Sequence, residues 1–296
     1  MMKTQRNTLF SLQAAILAHH QHPAQQFILR LDAPDIAQTA KPGSFVHLQC
    51  HPELPMRRPL SIMRTDPRQG WIEILYKVVG HGTRLLATRR PGETLPTLGP
   101  VGNGFRLDPA RPRRLLIGGG VGVPPMIFLA QQISTQHKQD AGSTLAVFGS
   151  EVPFPFTPRP SQLEVPGITP SANAAMPLLE DWQIASRLCS LQNYAGHYHG
   201  YVTDLVQQYL AGLDRQQHQQ VALFACGPEP MLQATAALAG EHNLPCQVSL
   251  EEYMACALGG CAGCVVKVRT GTEYAMKRVC VDGPVFDAEE VYGASG

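Results

Sequence analysis

Four cysteines near the end of the sequence carry the clearest chemical signal. Cys256, Cys261 and Cys264 follow the spacing C-x4-C-x2-C, and Cys280 lies further along the chain. This spacing is typical of a [2Fe–2S] site, in which a loop wraps the cluster and a later strand supplies the fourth thiolate. Glycines between the ligands allow the backbone to fold tightly and to direct amides at sulfur. A tetrahedral zinc ion is the nearest alternative, although zinc sites more often use paired short knuckles, and structural free thiols are the third.

A glycine-rich segment forms a second candidate site. Gly118–Gly122 follows the apolar run Arg114–Ile117 and precedes a helix-like stretch from Met126. The segment departs from the strict G-x-G-x-x-G pattern because Val123 occupies the third glycine position. A strand, a glycine turn and a helix in this order nevertheless place amides and a helix N-terminus where a pyrophosphate can bind. A tight turn without a ligand is the alternative.

Arg58 and Ser61 lie together in a β-rich stretch. An arginine beside a short strand can bind a phosphate through two parallel hydrogen bonds. Ser61 stands three residues later and so points to the opposite face of the strand, where it could reach a ring. Taken alone the pair is ordinary, since most such arginines are solvated.

The composition excludes several classes of protein. The 296 residues carry 24 Lys+Arg against 23 Asp+Glu, a formal net charge of +1, and 44% of them are hydrophobic. A near-neutral chain lacks the basic excess that nucleic-acid binding needs, and this apolar content is too high for a disordered polymer. No run approaches the ~20 apolar residues of a membrane span, and no export signal is evident. A cysteine cluster in such a chain indicates a metal or redox site in the cytoplasm rather than a disulfide frame.

Three domains are predicted to position these residues. Residues 1–108 contain short strands separated by turn signals, which indicates a small barrel or sandwich. Residues 109–248 alternate strands with helices, which indicates βαβ units and a parallel sheet. Residues 249–296 form a small module that contains the cysteine cluster.

Two kinds of segment are expected to lie outside these domain cores. A proline-rich stretch at about 151–199 is predicted to be an exposed insertion in the second domain, because compact domains rarely contain such long irregular connections. The first eight residues and residues 293–296 are expected to be disordered ends.

The motifs in this order resemble those of a known family. They are R-x-x-S in a barrel, a glycine-rich nucleotide domain ending in C-G-P-x-P-M, and a final C-x4-C-x2-C…C. This is similar to the electron transfer subunits of heteromeric dihydroorotate dehydrogenases, which are ferredoxin reductase-like flavoproteins. The resemblance covers about residues 27–286, and its most specific segments are Arg57–Ile62, Tyr76–Thr83, Gly200–Asp204 and Arg278–Phe286.

The resemblance implies a multi-domain fold, α/β and all-β. It would consist of an N-terminal antiparallel β-barrel that binds FAD, a ferredoxin reductase-like parallel α/β domain that binds NAD(H), and a small C-terminal [2Fe–2S] module. Cys256, Cys261, Cys264 and Cys280 would be the cluster ligands.

The resemblance also implies a set of FAD-binding residues in the barrel. Arg58 would bind the pyrophosphate, Ser61 would act near the reactive nitrogen of the flavin ring, and the amides of Gly82 and Thr83 would bind a flavin phosphate. The full set is Arg58, Pro59, Leu60, Ser61, Leu75, Tyr76, Lys77, Gly82 and Thr83.

A second implied set would bind NAD(H). Glu151 would accept hydrogen bonds from the adenosine ribose and favour NAD over NADP. Cys226 would lie near the nicotinamide and share the catalytic role with Ser61, although a small buried residue at the end of a core strand is an equal alternative. The binding set is Gly118, Gly119, Gly120, Gly122, Glu151, Gly227 and Pro228.

The implied activity is electron transfer in pyrimidine biosynthesis. The chain would pass electrons between NAD and the FMN of a dihydroorotate dehydrogenase catalytic subunit, in a heterotetramer of two plus two, and alone would oxidise NADH only with artificial acceptors. Two alternatives stay open. One is a related subunit for another partner, of the sulfide dehydrogenase or transhydrogenase type. The other is a redox- or metal-sensing binding module.

Overall fold

The computed structural model describes residues 9–293. Residues 1–8 and 294–296 lie outside the described part, and the prediction of disordered ends falls on them except at Gly293, whose N–H donates to the Glu289 carbonyl at 3.0 Å. Two sheets dominate the fold, a closed barrel and a seven-stranded sheet, and two small two-stranded sheets accompany them. Among the described residues, no helix combines the length and the apolar character needed to cross a membrane.

The N-terminal barrel has six antiparallel strands in the order β1-β2-β5-β4-β3-β6. The strands are β1 (Phe10–His22), β2 (Gln26–Asp32), β3 (Phe45–Leu48), β4 (Arg58–Asp66), β5 (Trp71–Lys77) and β6 (Thr94–Val101). Two short helices accompany them, α1 (Pro34–Thr39) and α2 (His81–Leu86). Alternate strand residues such as Leu29, Val46 and Ile74 point inward and form an apolar core. The predicted antiparallel barrel is therefore confirmed.

The remaining strands lie in the rest of the chain. They are β7 (Arg113–Gly119), β8 (Leu145–Gly149), β9 (Arg159–Pro160), β10 (Ala174–Ala175), β11 (Ala185–Ser190), β12 (Tyr198–His199), β13 (Val221–Cys226), β14 (Cys246–Ser249), β15 (Val265–Thr270), β16 (Glu273–Arg278) and β17 (Val285–Asp287). The large sheet has the order β12-β11-β8-β7-β13-β14-β17. Its strands pair in parallel except for β17, which is antiparallel to β14. This confirms the predicted parallel α/β domain.

Helices cover the large sheet and connect it to the barrel. They are α3 (Val123–Gln136), α4 (Pro177–Asp181), α5 (Val202–Ala211), α6 (Arg215–Gln219), α7 (Glu229–Glu241) and α8 (Ala288–Tyr292). Helix α3 also packs on the barrel, because Phe128 joins the barrel core. The Gln131 side chain bonds both backbone groups of Thr65 on β4, accepting from its N–H at 3.1 Å and donating to its carbonyl at 2.7 Å. The two domains are thus fixed to each other through α3.

The proline-rich stretch 151–199 is only partly the insertion that the sequence suggests. The hairpin β9–β10 and helix α4 lie outside the large sheet, but β11 is a buried strand paired with β8. The buried carboxylate of Glu180 accepts hydrogen bonds from the Ser161 hydroxyl at 2.8 Å and from the Gln162 N–H at 2.9 Å. The loop is thereby held against the domain. Strand β11 could not be recognised from its hydrophobicity, because the charged residue Arg187 lies in its middle.

The C-terminal segment returns to the large sheet. After β14 the chain enters the cysteine-containing loop, forms the β15–β16 hairpin, and then pairs β17 with β14. A strand from the predicted third module therefore completes the sheet of the predicted second domain. The predicted boundary near residue 108 falls between β6 and β7.

Candidate functional site

A cleft of about 1120 Å³ opens between the barrel, the turn after β7 and the segment after β14. Every residue predicted to bind FAD lines it. The cleft also reaches Val121 of the glycine-rich segment and Gly263 of the cysteine loop. The structure therefore brings parts of all three predicted sites to one cavity.

The cationic side of the cleft is formed by Arg58 and Arg57. A Cβ atom on Gly82 would lie 2.9 Å from Arg58 Nε, so the absence of a side chain at Gly82 allows the guanidinium to lie over the start of α2. Arg58 Nη1 donates to the Met56 carbonyl at 3.0 Å. Arg57 Nε is buried without a hydrogen-bond partner among the described residues. Oriented guanidinium groups beside a space of this size fit a diphosphate.

The segment that opens α2 is shaped by Thr83. Its hydroxyl oxygen accepts hydrogen bonds from the N–H groups of Val79 at 3.0 Å and Gly80 at 3.2 Å. The turn before the helix is thereby fixed next to Arg58 on the cleft wall. The predicted phosphate contacts of Gly82 and Thr83 remain predictions.

Strand β5 presents alternate residues to the barrel core and to the cleft. Tyr76 points inward, stacks on Phe27 at 5.4 Å and bonds its hydroxyl to His19 Nε2 at 2.9 Å. Burial raises the pKa of Tyr76, so the phenol stays neutral. Alternation directs Leu75 and Lys77 to the other face of the strand, where the cleft lies. Tyr76 borders the cleft, but its side chain packs in the barrel core and anchors β5 there.

The predicted nucleotide loops meet at the carboxyl ends of two neighbouring parallel strands, β7 and β13. A Cβ on Gly122 would overlap the Cys226 carbonyl, and one on Gly227 would lie 3.0 Å from the Gly119 nitrogen. The two loops are thus packed backbone against backbone. A crevice at the carboxyl ends of parallel strands is the usual place for a nucleotide in α/β sheets.

Cys226 and Glu151 differ in their surroundings. Cys226 is fully buried at the end of β13, and desolvation raises the pKa of its thiol well above the ordinary value. Glu151 follows β8 at the same edge of the sheet, and its carboxylate accepts a hydrogen bond from the Leu191 N–H at 3.4 Å. Neither side chain lines the large cleft. Their roles toward nicotinamide and ribose stay predictions.

The four cysteines lie close together, in the loop after β14 and just after β16. Cys261 acts on the pKa of the Cys256 thiol, and both Cys264 and Cys256 act on the pKa of the Cys280 thiol. Within residues 9–293, no group of three or more His, Cys, Asp or Glu side chains is placed to hold one metal ion. The C-x4-C-x2-C…C spacing is typical of a [2Fe–2S] cluster, whereas zinc sites more often use paired short knuckles.

Backbone amides of the loop point at the sulfur atoms. The Leu258 N–H donates to Cys256 Sγ and the Gly263 N–H to Cys261 Sγ, each at 3.4 Å. The Leu258 amide lowers the pKa of the Cys256 thiol to about 6, while burial raises that of Cys280 to about 12. Amides directed at sulfur stabilise thiolate ligands.

The segment between β14 and Cys256 was missed by sequence reasoning. Leu250, Glu251, Tyr253 and Met254 all line the cleft. Tyr253 is 94% exposed there. The only available signal was the position of this segment immediately before Cys256.

Comparison with known proteins agrees with this geometry. Residues 251–292 match a family model described as the iron-sulfur cluster binding domain of dihydroorotate dehydrogenase B. A Bacillus caldolyticus protein, named dihydroorotate dehydrogenase B (NAD(+)), electron transfer subunit, is 36% identical over 268 residues, 89% of this chain and 91% of that protein. The chain belongs to this family. A relative of the same name from Geobacillus sp. (strain WCH70) is 33% identical over 283 residues, 94% of this chain and 97% of that protein.

Solved structures agree at the level of the fold. An NADH-dependent reduced ferredoxin-NADP oxidoreductase, studied for flavin-based electron bifurcation, has a TM-score of 0.74 and 25% identity. The match covers 95% of this chain and 90% of that one. A ferredoxin reductase in carbazole 1,9a-dioxygenase has a TM-score of 0.58 at 20% identity, with 80% and 67% covered. The expected ferredoxin reductase-like fold is thus confirmed.

Proposed function

We propose that the chain is the electron transfer subunit of a heteromeric dihydroorotate dehydrogenase in cytoplasmic pyrimidine biosynthesis. It passes electrons between NAD and the FMN of a catalytic subunit. The observation that carries this proposal is that the cleft reaches Gly263 of the cysteine loop, in a chain 36% identical to a relative named as such a subunit.

Three bound groups supply the chemistry: NAD exchanges a hydride, FAD takes an electron pair and releases single electrons, and a [2Fe–2S] cluster carries single electrons. The residues of the barrel would hold and orient the FAD. Arg58, supported by the glycine at position 82, binds the FAD diphosphate, and Ser61 faces the flavin ring from the cleft wall. Leu75 and Lys77 border the ring and its side chain.

The α/β domain brings the nicotinamide nucleotide to the same cleft. The loop Gly118–Gly122 would present backbone amides to its pyrophosphate, and Gly227 and Pro228 would lie near the nicotinamide. Glu151 would accept hydrogen bonds from ribose hydroxyls at the neighbouring strand end. Val121 of the nucleotide loop is 40% exposed and lines the cleft, so the loop borders the space proposed for the flavin.

The cysteine loop holds the cluster and faces the partner. Cys256, Cys261, Cys264 and Cys280 would be its four thiolate ligands, and the cluster would carry single electrons. Apolar side chains near these ligands support docking of a catalytic subunit there: Leu258 is 58% exposed and Met276 is 61% exposed. Large exposed apolar groups commonly mark protein interfaces. The complex contains two copies of each subunit.

Co-purification from the native host tests the partner. We expect an FMN-containing subunit to accompany the chain, and the complex to reduce NAD with dihydroorotate. The isolated chain should oxidise NADH with an artificial acceptor and leave dihydroorotate unchanged. A different partner would overturn the pathway assignment while leaving the cofactor assignment intact.

Metal analysis tests the cofactors. We expect about two irons per chain and flavin absorption, and a Cys264→Ser variant should lose the iron while keeping the flavin. Cys246→Ser is the matched control, because Cys246 is a buried thiol on β14 outside the ligand loop. A colourless zinc protein would instead support the metal-sensing alternative.

A second candidate function is supported by the structural match to the NADH-dependent reduced ferredoxin-NADP oxidoreductase. In that case the same cofactors would serve a transhydrogenase-type partner. Co-purification of a partner that lacks dihydroorotate activity but couples two pyridine nucleotides would favour it.

A further inference from the structure

We propose that Asn103 is a positioning residue for electron transfer between the flavin site and the cluster site. It holds the turn after Cys280 against the barrel. This inference rests on the proposed function, since it concerns how the chain keeps two of its carriers at a fixed separation. Asn103 stands just after β6, where the barrel ends.

One residue makes three hydrogen bonds to this turn. Asn103 Nδ2 donates to the carbonyls of Val281 and Asp282, each at 3.0 Å, and the Asn103 backbone N–H donates to the Gly283 carbonyl at 2.6 Å. These three carbonyls belong to consecutive residues that directly follow the ligand Cys280. The side chain therefore bridges sequence separations of 178 and 179 residues, from the barrel to the cluster module.

The turn at residues 281–283 is in turn bonded to the loop that contains Cys256 and Cys261. The Asp282 N–H donates to the Arg278 carbonyl at 2.7 Å, which closes the turn on itself. Arg278 Nη1 donates to the Gly259 carbonyl at 3.1 Å, within the segment between Cys256 and Cys261. A Cβ on Gly259 would lie 2.6 Å from Val281 Cγ2, so the turn and the ligand loop are in close contact.

The barrel side of the bridge is equally constrained. Gly102 has a φ of +94°, and a Cβ there would overlap Pro284, which lines the cleft. The Phe105 N–H donates to the Pro42 carbonyl at 2.9 Å, just before the β3 strand that also borders the cleft. Asn103 thus sits on a fixed backbone, and its side-chain amide connects that backbone to the turn.

Asn103 belongs to the linker between β6 and β7, residues 102–112. Another residue of this linker contacts the large sheet instead. Gln247 on β14 bonds both backbone groups of Arg106, and Arg106 pairs with Asp287 on β17 at 3.2 Å. These contacts fix the linker to the large sheet. Asn103 is the residue that reaches the turn next to Cys280, and electron transfer is sensitive to small changes in the separation of its carriers.

The test uses the full chain loaded with its cofactors. Asn103→Asp keeps the size of the side chain, removes the two N–H donors and places a carboxylate against two carbonyls. Gln131→Glu is the matched control, because it makes the same amide-to-carboxylate change in the contact between α3 and Thr65. If Asn103→Asp fails to fold, Asn103→Ala removes the donors without adding charge.

Stopped-flow absorbance after mixing with NADH separates flavin reduction from cluster reduction. We expect Asn103→Asp to slow cluster reduction severalfold, because the rate of electron transfer falls steeply as the separation of its carriers grows. Flavin reduction and iron content should match wild type, and amide hydrogen exchange in residues 278–284 should be faster. Gln131→Glu should leave the rate of cluster reduction and this exchange unchanged.

Other outcomes decide against the proposal. Wild-type cluster reduction and wild-type exchange in Asn103→Asp would show that the hydrogen bonds do not set the separation. Loss of iron would show that Asn103 retains the cluster rather than positions it. Failure of the proposed function is distinguishable, since wild type itself would then show no cluster or no reduction by NADH.

Discussion

Arg58 combines a guanidinium aimed along the cleft with a neighbour, Gly82, that leaves room for it. We expect Arg58→Ala to weaken FAD binding about ten- to a hundredfold, because a hydrogen bond to a charged group contributes about 1.5–3 kcal/mol. Arg58→Lys should restore little of the FAD affinity, because an ammonium group cannot form the two parallel hydrogen bonds of a planar guanidinium. Fluorescence titration of the flavin-free chain measures both. Arg68→Ala, on the exposed turn after β4, is the control, and an unchanged affinity of Arg58→Ala would remove Arg58 from the diphosphate site.

His47 makes stability depend on pH. Its ring is buried on β3, and its nitrogens have no hydrogen-bond partner among the described residues. Burial lowers its pKa below the ordinary 6.5; the nearby Met254 backbone opposes this shift, and Arg57 and Arg58 act in the same direction as burial. Below about pH 6.5 the unfolded chain takes up a proton that the folded chain resists, so the free energy of unfolding falls as the pH falls toward the lowered folded pKa.

We therefore expect His47→Phe to lose less stability than wild type between pH 7 and pH 5. Part of the dependence should persist, because burial also lowers the pKa of His19. Urea unfolding at several pH values measures the difference. His199→Phe, at an exposed position on β12, should follow wild type. A His47→Phe curve parallel to wild type would contradict the account.

At the scale of elements, the two strand-end loops are held together by the absence of a side chain at Gly122. A Cβ there would overlap the Cys226 carbonyl, and neither backbone can yield locally. We expect Gly122→Ala to cost about 1–3 kcal/mol of stability and to weaken NADH binding while the FAD content stays normal. Thermal unfolding and NADH titration measure these effects.

Gly240→Ala is the control for that substitution. Gly240 lies in α7 with nothing near its Cβ position, so alanine there should stabilise the chain by about 0.5–1 kcal/mol. Equal NADH affinity in both alanine variants would show that the close approach of the loops does not matter for binding.

Strands that coincide with apolar runs were predictable, and the strand that contains several turn residues was not. The apolar stretches 9–18, 25–31, 44–50, 59–63 and 71–79 predict strands and correspond to β1, β2, β3, β4 and β5. Strand β6 was not, because Pro96, Gly99 and Pro100 look like turn residues. It pairs with both β1 and β3 and closes the barrel. A Cβ on Gly99 would lie 2.9 Å from Val46, so the glycine that suggests a turn is what permits the closure.

The site was predictable where a motif is local and not where the fold assembles it. The four cysteines were found because their spacing is itself the signal, whereas Arg58 and Ser61 were found only through their order with the other motifs. Glu251 and Tyr253 were missed because they reach the cleft through the pairing of β13 with β14, a contact between distant segments.

At the scale of the whole molecule, the cysteine module and the large sheet share a hydrogen-bonded edge between β14 and β17. We expect removal of iron by a chelator to lower the melting temperature of the chain in one transition, because a metal that binds only the folded state stabilises it. Scanning calorimetry measures this. A separate low-temperature transition for the module, with the main transition unchanged, would show that the shared edge does not couple them.

The position of β17 late in the chain also affects the order in which parts of the protein can fold during synthesis. The barrel strands, residues 10–101, are synthesised first and can close before any strand of the large sheet exists. The edge of β14 stays unpaired until residue 287 has emerged, and the ligand set stays incomplete until Cys280 has emerged. A nascent chain stalled between β14 and Cys280 would therefore display an open strand edge, which favours aggregation, together with three unliganded thiols. The proposed cluster would therefore be inserted only after Cys280 has emerged.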